Sequence, residues 1–336
     1  MTEAIKGTTK IYACGGAGIN VAKVFEPMRG KITAMFSVLD ICYLDTSPAN
    51  LQDPTLPRDS IYRIPGVNGS GQVRKENAEK IFAHAPQMLE KHRPAKNNIV
   101  IHSLSGGSGS VIGPALVAEM LAAGESVVVI TIGEDDTVKH MENTHMSIMS
   151  YMNIAAQNEK PVIAAYFQNS NLTPEADVNK GINQLVTALT VLYSGENIGM
   201  DERDLFNWLN FNAVTRFGPQ LSLLSVFEGT DVGTNIGDII SVVTLATTDG
   251  PSAVGQLIEY QKVGRLPVKG DEADSPVHMS APIHFVTSDG IWGDVFSKLD
   301  TQLADYNRKA AARVPQLSQS ELLKKGPAAA KNGVMV

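Results

Sequence analysis

The 336-residue chain has only two cysteines and two tryptophans, and aromatic residues make up 6% of it. Two thiols cannot build the disulfide framework on which small secreted domains depend, and a chain of this length can bury a sizeable core without one. Cys14 and Cys42 both end apolar runs, where a free thiol behaves as a small buried hydrophobe rather than a redox group. Apolar runs such as Ser126-Val-Val-Val-Ile-Thr131 fall well short of the roughly 20 residues needed to span a bilayer, and Met1 to Lys10 has no apolar leader segment. A cytoplasmic protein without membrane contact is expected. Positive charge is in deficit, with 28 Lys and Arg against 35 Asp and Glu. That balance argues against a general nucleic-acid binder, and no sequence-specific contact with nucleic acid is expected. The seven histidines form no pair at metal-ligand spacing, and His140 and His145, flanking a polar helix start, read as solvated. No G-x-x-x-x-G-K-[ST] run occurs, which excludes a P-loop with its phosphate lysine.

What the chain does have is glycine at the ends of apolar runs. Asn98 to His102 reads as a buried strand, Ser103-Leu-Ser-Gly-Gly-Ser-Gly-Ser110 follows it, and Val111 to Ala123 has apolar residues at helical spacing. A glycine turn between strand and helix is a natural anion site, because the backbone approaches closely and the helix N-terminus adds about half a positive charge. Thr9 to Cys14 leads in the same way into Gly15-Gly-Ala-Gly-Ile-Asn20 and a short helix. This partly matches the dinucleotide fingerprint, with Val21 where the third glycine belongs. Ile41 to Asp45 is a strand ending in an acid, which suits a ribose contact and equally suits an ordinary turn. A third loop, Gly66-Val-Asn-Gly-Ser-Gly71, precedes a charged helix predicted from about Val73 to His92.

Beyond the opening motif come a strand at Ser126 to Thr131, an acidic turn at Gly133 to Thr137 and a helix to about Gln157 whose methionines 141, 146, 149 and 152 read as core filler. Pro161 to Phe167 is a further strand. With Tyr62 to Pro65 before the third loop, six strand candidates alternating with helices predict a doubly wound, mostly parallel α/β sheet with every glycine loop at the ligand-binding edge. Thr173-Pro174 starts a long helix, with Thr173 expected at the cap and Val178, Ile182, Leu185, Val186, Leu189 and Leu192 on its core face. Asp201-Glu-Arg-Asp204 then enters a short helix, and the local pattern is that of a capped helix start. Strands at Ile239 to Thr247, Gln256 to Gln261 and Pro282 to Ser288, with a helix from about Trp292 to Ala312, predict a second, smaller α+β domain. The tail from Arg313 bears Lys324, Lys325 and Lys331 and reads as flexible, with a short helix at Ser318 to Lys324. The domain reading is therefore 1–172, a connecting helix at 173–196, then 197–312 and the tail at 313–336.

Taken together, these runs resemble the tubulin/FtsZ superfamily over about residues 9–310. The family's [SAG]-G-G-T-G-[SA]-G signature is matched from Ser105 to Val111 in six of seven places if Ser108 stands for threonine, with Val111 replacing the last glycine. GGAGIN resembles the first-strand loop, Gly69-Ser-Gly71 the γ-phosphate loop and Asp201-Glu-Arg-Asp204 the D-x-x-D catalytic element, in the family's order and spacing. Within the superfamily the size and loops are most similar to the phage tubulins of the PhuZ type, although the lysine-bearing tail departs from the acidic tail of that group.

The resemblance implies a GTPase that binds GTP or GDP with Mg²⁺ held mainly by phosphates and water, with no direct protein ligand. It implies nucleotide contacts at Gly15, Gly16, Ala17, Gly18, Asn20, Asp45, Gly69, Gly71, Ser105, Gly106, Gly107, Ser108, Gly109, Ser110, Glu134, Asn171 and Asn183. Asn20 and Asn183 would read the guanine edge. Asp201 and Asp204 would be catalytic only after one subunit stacks head to tail on the next, giving dynamic filaments that position viral particles or DNA complexes in the host cytoplasm. Alternatives are a division or plasmid-segregation filament of the FtsZ or TubZ kind, a dinucleotide-dependent oxidoreductase using GGAGIN, and a nucleotide-bound scaffold without turnover.

Overall fold

Short β-branched runs alternating with helices force a sheet covered on both faces. The structure, a computed structural model, describes residues 6–170, 172–229, 232, 236–246, 257–266 and 281–313. Asn171, the tail beyond 313 and its expected helix at Ser318 to Lys324 lie outside the described residues. The elements run β1 Thr8–Cys14, α1 Gly15–Ala22, β2 Val38–Asp45, α2 Pro48–Leu51, β3 Ile61–Arg63, α3 Ala78–Lys91, β4 Asn97–Ser103, α4 Gly109–Ala122 and β5 Val127–Gly133. They continue α5 Val138–Asn158, β6 Val162–Gln168, α6 Glu175–Leu192, α7 Glu202–Leu209, β7 Leu221–Glu228, β8 Ile239–Ala246, β9 Tyr260–Arg265, β10 Ile283–Ser288 and α8 Trp292–Arg313.

The strands form one ten-stranded sheet of order β3-β2-β1-β4-β5-β6-β7-β10-β8-β9. Neighbours are parallel from β3 through β7, β10 runs antiparallel to β7 and β8, and β9 lies parallel to β8. Consecutive strands build outward in opposite directions from β1 and from β4. That switch point leaves a crevice beyond the carboxyl ends of β1 and β4, where the two most glycine-rich loops begin.

Alternation along each strand makes two cores. Ile11, Ala13, Ile99, Ile101, Val128 and Ile130 face α1, α6 and α7. Tyr12, Cys14, Val100, Val127 and Val129 face α3, α4, α5 and α8. The six predicted core positions of α6 are all buried. Both cysteines are free and buried, and burial pushes both thiols well above their ordinary pKa. Among the described residues, no helix is long and apolar enough to cross a membrane.

Several local expectations need correction. Met146 and Met149 are 52% and 39% exposed, because α5 buries Thr144, Ser147, Ile148, Tyr151 and Ala155 on its other face. Only Met141 and Met152 pack against the core. Pro174, not Thr173, occupies the cap of α6. The helix expected from Val73 begins at Ala78, after a 3₁₀ turn at Arg74–Glu76. β7 was not anticipated, and β9 lies at Tyr260–Arg265 rather than Gln256 to Gln261.

Candidate functional site

The segments that follow β1, β2, β3, β4 and β5 meet beyond the carboxyl ends of those strands. They enclose a cavity of about 370 Å³ lined by Cys14 to Ala17, Asp45, Ser47, Asn50, Gly69 to Gln72, Ser103, Ser105 to Gly109, Glu134 and His140. Glycine is demanded by contact. A Cβ on Gly109 would lie 2.6 Å from the Cys14 carbonyl oxygen, and one on Gly107 would lie 2.7 Å from Ser70 Cβ. Gly15 has φ +72° and Gly69 φ +83°, backbone conformations that side chains disfavour. The first N–H groups of α4, which have no intrahelical acceptor, head the glycine loop.

Hydroxyl and amide side chains bind the loops to each other. Ser108 Oγ lies 2.5 Å from Thr46 Oγ1 and 3.0 Å from Ser70 Oγ. Asn143 on α5 donates to the carbonyls of Gln72 and Ser105, both at 2.8 Å. Arg74 is buried and donates to the Ser110 carbonyl, to Ser147 Oγ at 2.9 Å and to Ser150 Oγ at 2.8 Å. No carboxylate forms an ion pair with Arg74 among the described residues, and burial lowers its pKa to about 10, so it remains a cation at neutral pH. It clamps the 69–74 loop to the first turn of α4 and to the middle of α5. The lining itself contains Asp45 and Glu134 but no lysine or arginine.

Asp45 is buried and accepts from Thr46 N, Ser47 N and Asn50 Nδ2 at 2.7, 3.2 and 2.6 Å, so its carboxylate shapes the turn after β2. Glu134 accepts from Ser105 Oγ at 3.2 Å and Asn169 Nδ2 at 2.9 Å. His140, expected in solvent, has a 12% exposed side chain lying 2.6 Å from Asp136 and 3.3 Å from Glu134. His145 likewise is covered, stacking on Phe296 at 4.2 Å. Gly18 and Ser110 are buried behind the cavity: a Cβ on Gly18 would meet the Ile101 oxygen at 2.2 Å, and Ser110 Oγ donates to the Gly107 carbonyl. Asn20 and Asn183 do not line the cavity, and Asn183 opens instead onto a groove beside α6. Ser47, Asn50, Ser70, Gln72, Arg74, Asn143 and His140 are site residues that sequence reasoning missed.

Asp201 and Asp204 stand on the opposite edge of the sheet. Asp201 lines a cleft of about 780 Å³ with Gly7, Lys96, Asn97 and Ser126, which precede or begin β1, β4 and β5. Seven-residue strands put that edge about 20 Å from the glycine loops. The two acids form a reciprocal cap at the head of α7: Asp204 N donates to Asp201 Oδ1 and Asp201 N to Asp204 Oδ2, both at 3.0 Å. Lys262 Nζ of β9 lies 3.0 Å from Asp204 Oδ2, and the Tyr260 hydroxyl donates to the Asp204 carbonyl at 3.1 Å. Burial works to raise the Asp204 pKa, but the Asp201 N–H, Lys262 and Tyr260 outweigh it and hold the carboxyl below its ordinary value.

No family model matches the chain. Curated relatives do. The chain is 31% identical over 254 residues to a phage tubulin-like protein of Pseudomonas phage phiKZ, covering 72% of this chain and 75% of that one. It is 30% identical over 242 residues to a phage tubulin-like protein of Pseudomonas phage PhiPA3, covering 71% and 73%. Among solved structures, a TubZ protofilament from bacteriophage PhiKZ superposes with TM-score 0.79 at 26% identity, over 97% of this chain and 98% of that one. With this fold, and with sequence identity at that level over most of the relatives' length, the chain belongs to the phage tubulin-like proteins.

Proposed function

We propose that this chain is a GTP-hydrolysing filament subunit whose catalytic acids act on the nucleotide of the next subunit. The observation that carries the reading is the polarity of the molecule: a loop-built anion cradle on one sheet edge and a paired carboxylate cap on the other. Gly15, Gly16, Gly106, Gly107, Ser108 and Gly109 would hold the phosphates, with Gly69 and Gly71 at the γ-phosphate. Asp45 holds the turn that packs against Gly69, Glu134 is held by Ser105 and Asn169, and Asn20 and Asn183 remain the proposed guanine contacts. A lining with two carboxylates and no lysine or arginine suits a phosphate group that brings its own cation, and bound Mg²⁺ would supply that charge.

The cradle alone offers no free carboxylate to orient a water at the γ-phosphate. Asp201 and Asp204 can orient and polarise that water once they are delivered from a neighbour. A surface that docks its bottom edge on another copy's top edge is heterologous and open, and repeats into a filament. Similarity to a TubZ protofilament and to a PhuZ filament supports the assembly half of this proposal, and similarity to a GDP-bound phage tubulin supports the guanine half. Membership of the tubulin-like proteins replaces the oxidoreductase reading, which uses only one of the three loops. Viral particles or DNA complexes remain the proposed cargo, and the host cytoplasm the proposed location. Light scattering tests the assembly directly: GTP is expected to raise it and GDP to leave it at baseline, while equal signals without nucleotide would overturn the proposal.

A further inference from the structure

Phosphoryl transfer spreads negative charge over the γ-phosphate oxygens, and enzymes of this class meet that charge with a fixed cation as well as a metal ion. This cradle provides none at its surface. Its lining has no lysine or arginine, its one imidazole is engaged by Asp136 and Glu134, and Arg74 is buried behind the glycine loop on the Ser110 carbonyl. On the opposite edge, a lysine travels with the acid. Lys262 Nζ is 3.0 Å from Asp204 Oδ2 and its side chain is 37% exposed.

Lys262 and Asp204 move as a unit because the strand and helix that bear them are fixed to each other. β9 pairs with β8 from Tyr260 to Arg265, and the Tyr260 hydroxyl bonds the Asp204 carbonyl. Asp204 is also locked to Asp201 by the reciprocal cap. Whatever brings the Asp204 carboxylate to a neighbour's phosphate must bring an ammonium to within one hydrogen bond of the same place. An ammonium has three protons and Asp204 Oδ2 takes one.

Resting on the cross-subunit reading above, we infer that Lys262 enters the neighbouring subunit's phosphate site beside Asp204 and supplies in trans the positive charge that the cradle lacks. Water adds to the γ-phosphorus, the bond from phosphorus to the β,γ-bridging oxygen breaks with its electron pair leaving on GDP, and one proton of the water passes to an oxygen of the departing phosphoryl group, giving inorganic phosphate. Lys262 donates hydrogen bonds to the γ-oxygens throughout and transfers no proton.

The test compares Lys262→Met, Lys262→Gln and Lys262→Arg in the full chain. Filaments on a non-hydrolysable GTP analogue are expected from all three, with turnover down about 100-fold or more in Met and Gln and restored to within about tenfold by Arg. Parent filaments should also be stabilised by GDP with aluminium fluoride, which mimics the transferring phosphoryl group, and Lys262→Met filaments should lose that response. Lys262→Gln keeps a hydrogen bond to Asp204 and so reports on charge even where the Met variant assembles poorly. Turnover within about threefold of the parent in Met or Gln, an Arg variant as slow as Met, or an unchanged aluminium fluoride response overturns the inference. Asp204→Asn separates the two failures: if it too turns over normally, the cross-subunit reading falls with Lys262. If it is inactive while Lys262→Met is normal, only the Lys262 role falls.

Discussion

Asp204→Ala is expected to bind GTP and assemble like the parent while its hydrolysis drops about 10²- to 10⁴-fold. The structural cost of the change is small. Losing one side of the cap costs about 1 kcal/mol, and α7 stays anchored by the buried Trp208 and Leu209. The nucleotide cradle is untouched, since it lies on the other sheet edge and shares no residue with the cap. Normal binding and assembly with lost turnover is the pattern of a group used in the chemical step and not in holding the nucleotide. Pelleting and phosphate release on one sample measure both, and normal hydrolysis would place the chemistry elsewhere.

The second large effect runs the other way. Gly109→Ala puts a methyl 2.6 Å from the Cys14 carbonyl oxygen and 3.5 Å from Gly15 Cα, all backbone atoms with no rotamer to yield. The first loop and the glycine loop must then part. Overpacking of this kind costs about 1–3 kcal/mol, and here the strain falls on the N–H groups proposed to hold the phosphates. GTP affinity should fall about 10- to 100-fold, with assembly lost at nucleotide concentrations that saturate the parent. Gly293→Ala is the control, since a Cβ there meets nothing within 4 Å. Equal affinity in the Gly109 variant, measured by titration with labelled GTP, would remove this loop from the phosphate site.

The parts that could be read from the sequence share a physical cause. Runs such as Asn98 to His102 are apolar because helices cover both faces of the sheet, and Gly18 and Gly109 mark places where a Cβ would strike backbone. α6 was visible because one stripe faces the core. β9 was misplaced because Tyr-Gln-Lys-Val-Gly-Arg is a half-buried edge strand with no apolar run to announce it. The Met146 and Met149 error has a different origin: methionine as a residue type suggests core, but the angular position of each residue on the helix decides its burial.

The site was legible where loops are rich in glycine and opaque where single polar side chains act at long range. Arg74 joins Ser110, Ser147 and Ser150, residues 36 to 76 positions away, and nothing local distinguishes it from a surface arginine. Asn143 and Lys262 are hidden for the same reason. The Asp201 and Asp204 pair shows a different limit. Local pattern read it as a helix cap, the resemblance read it as catalytic, and its structural role as a cap is met without using every carboxylate oxygen. The two roles are compatible.

Phosphate release per subunit as a function of protein concentration tests the central claim most directly. Hydrolysis completed across a head-to-tail contact predicts almost no turnover below a critical concentration and a sharp onset at the concentration where filaments appear. A rate per subunit that is constant through that range would contradict it, because each subunit would then carry a complete site of its own.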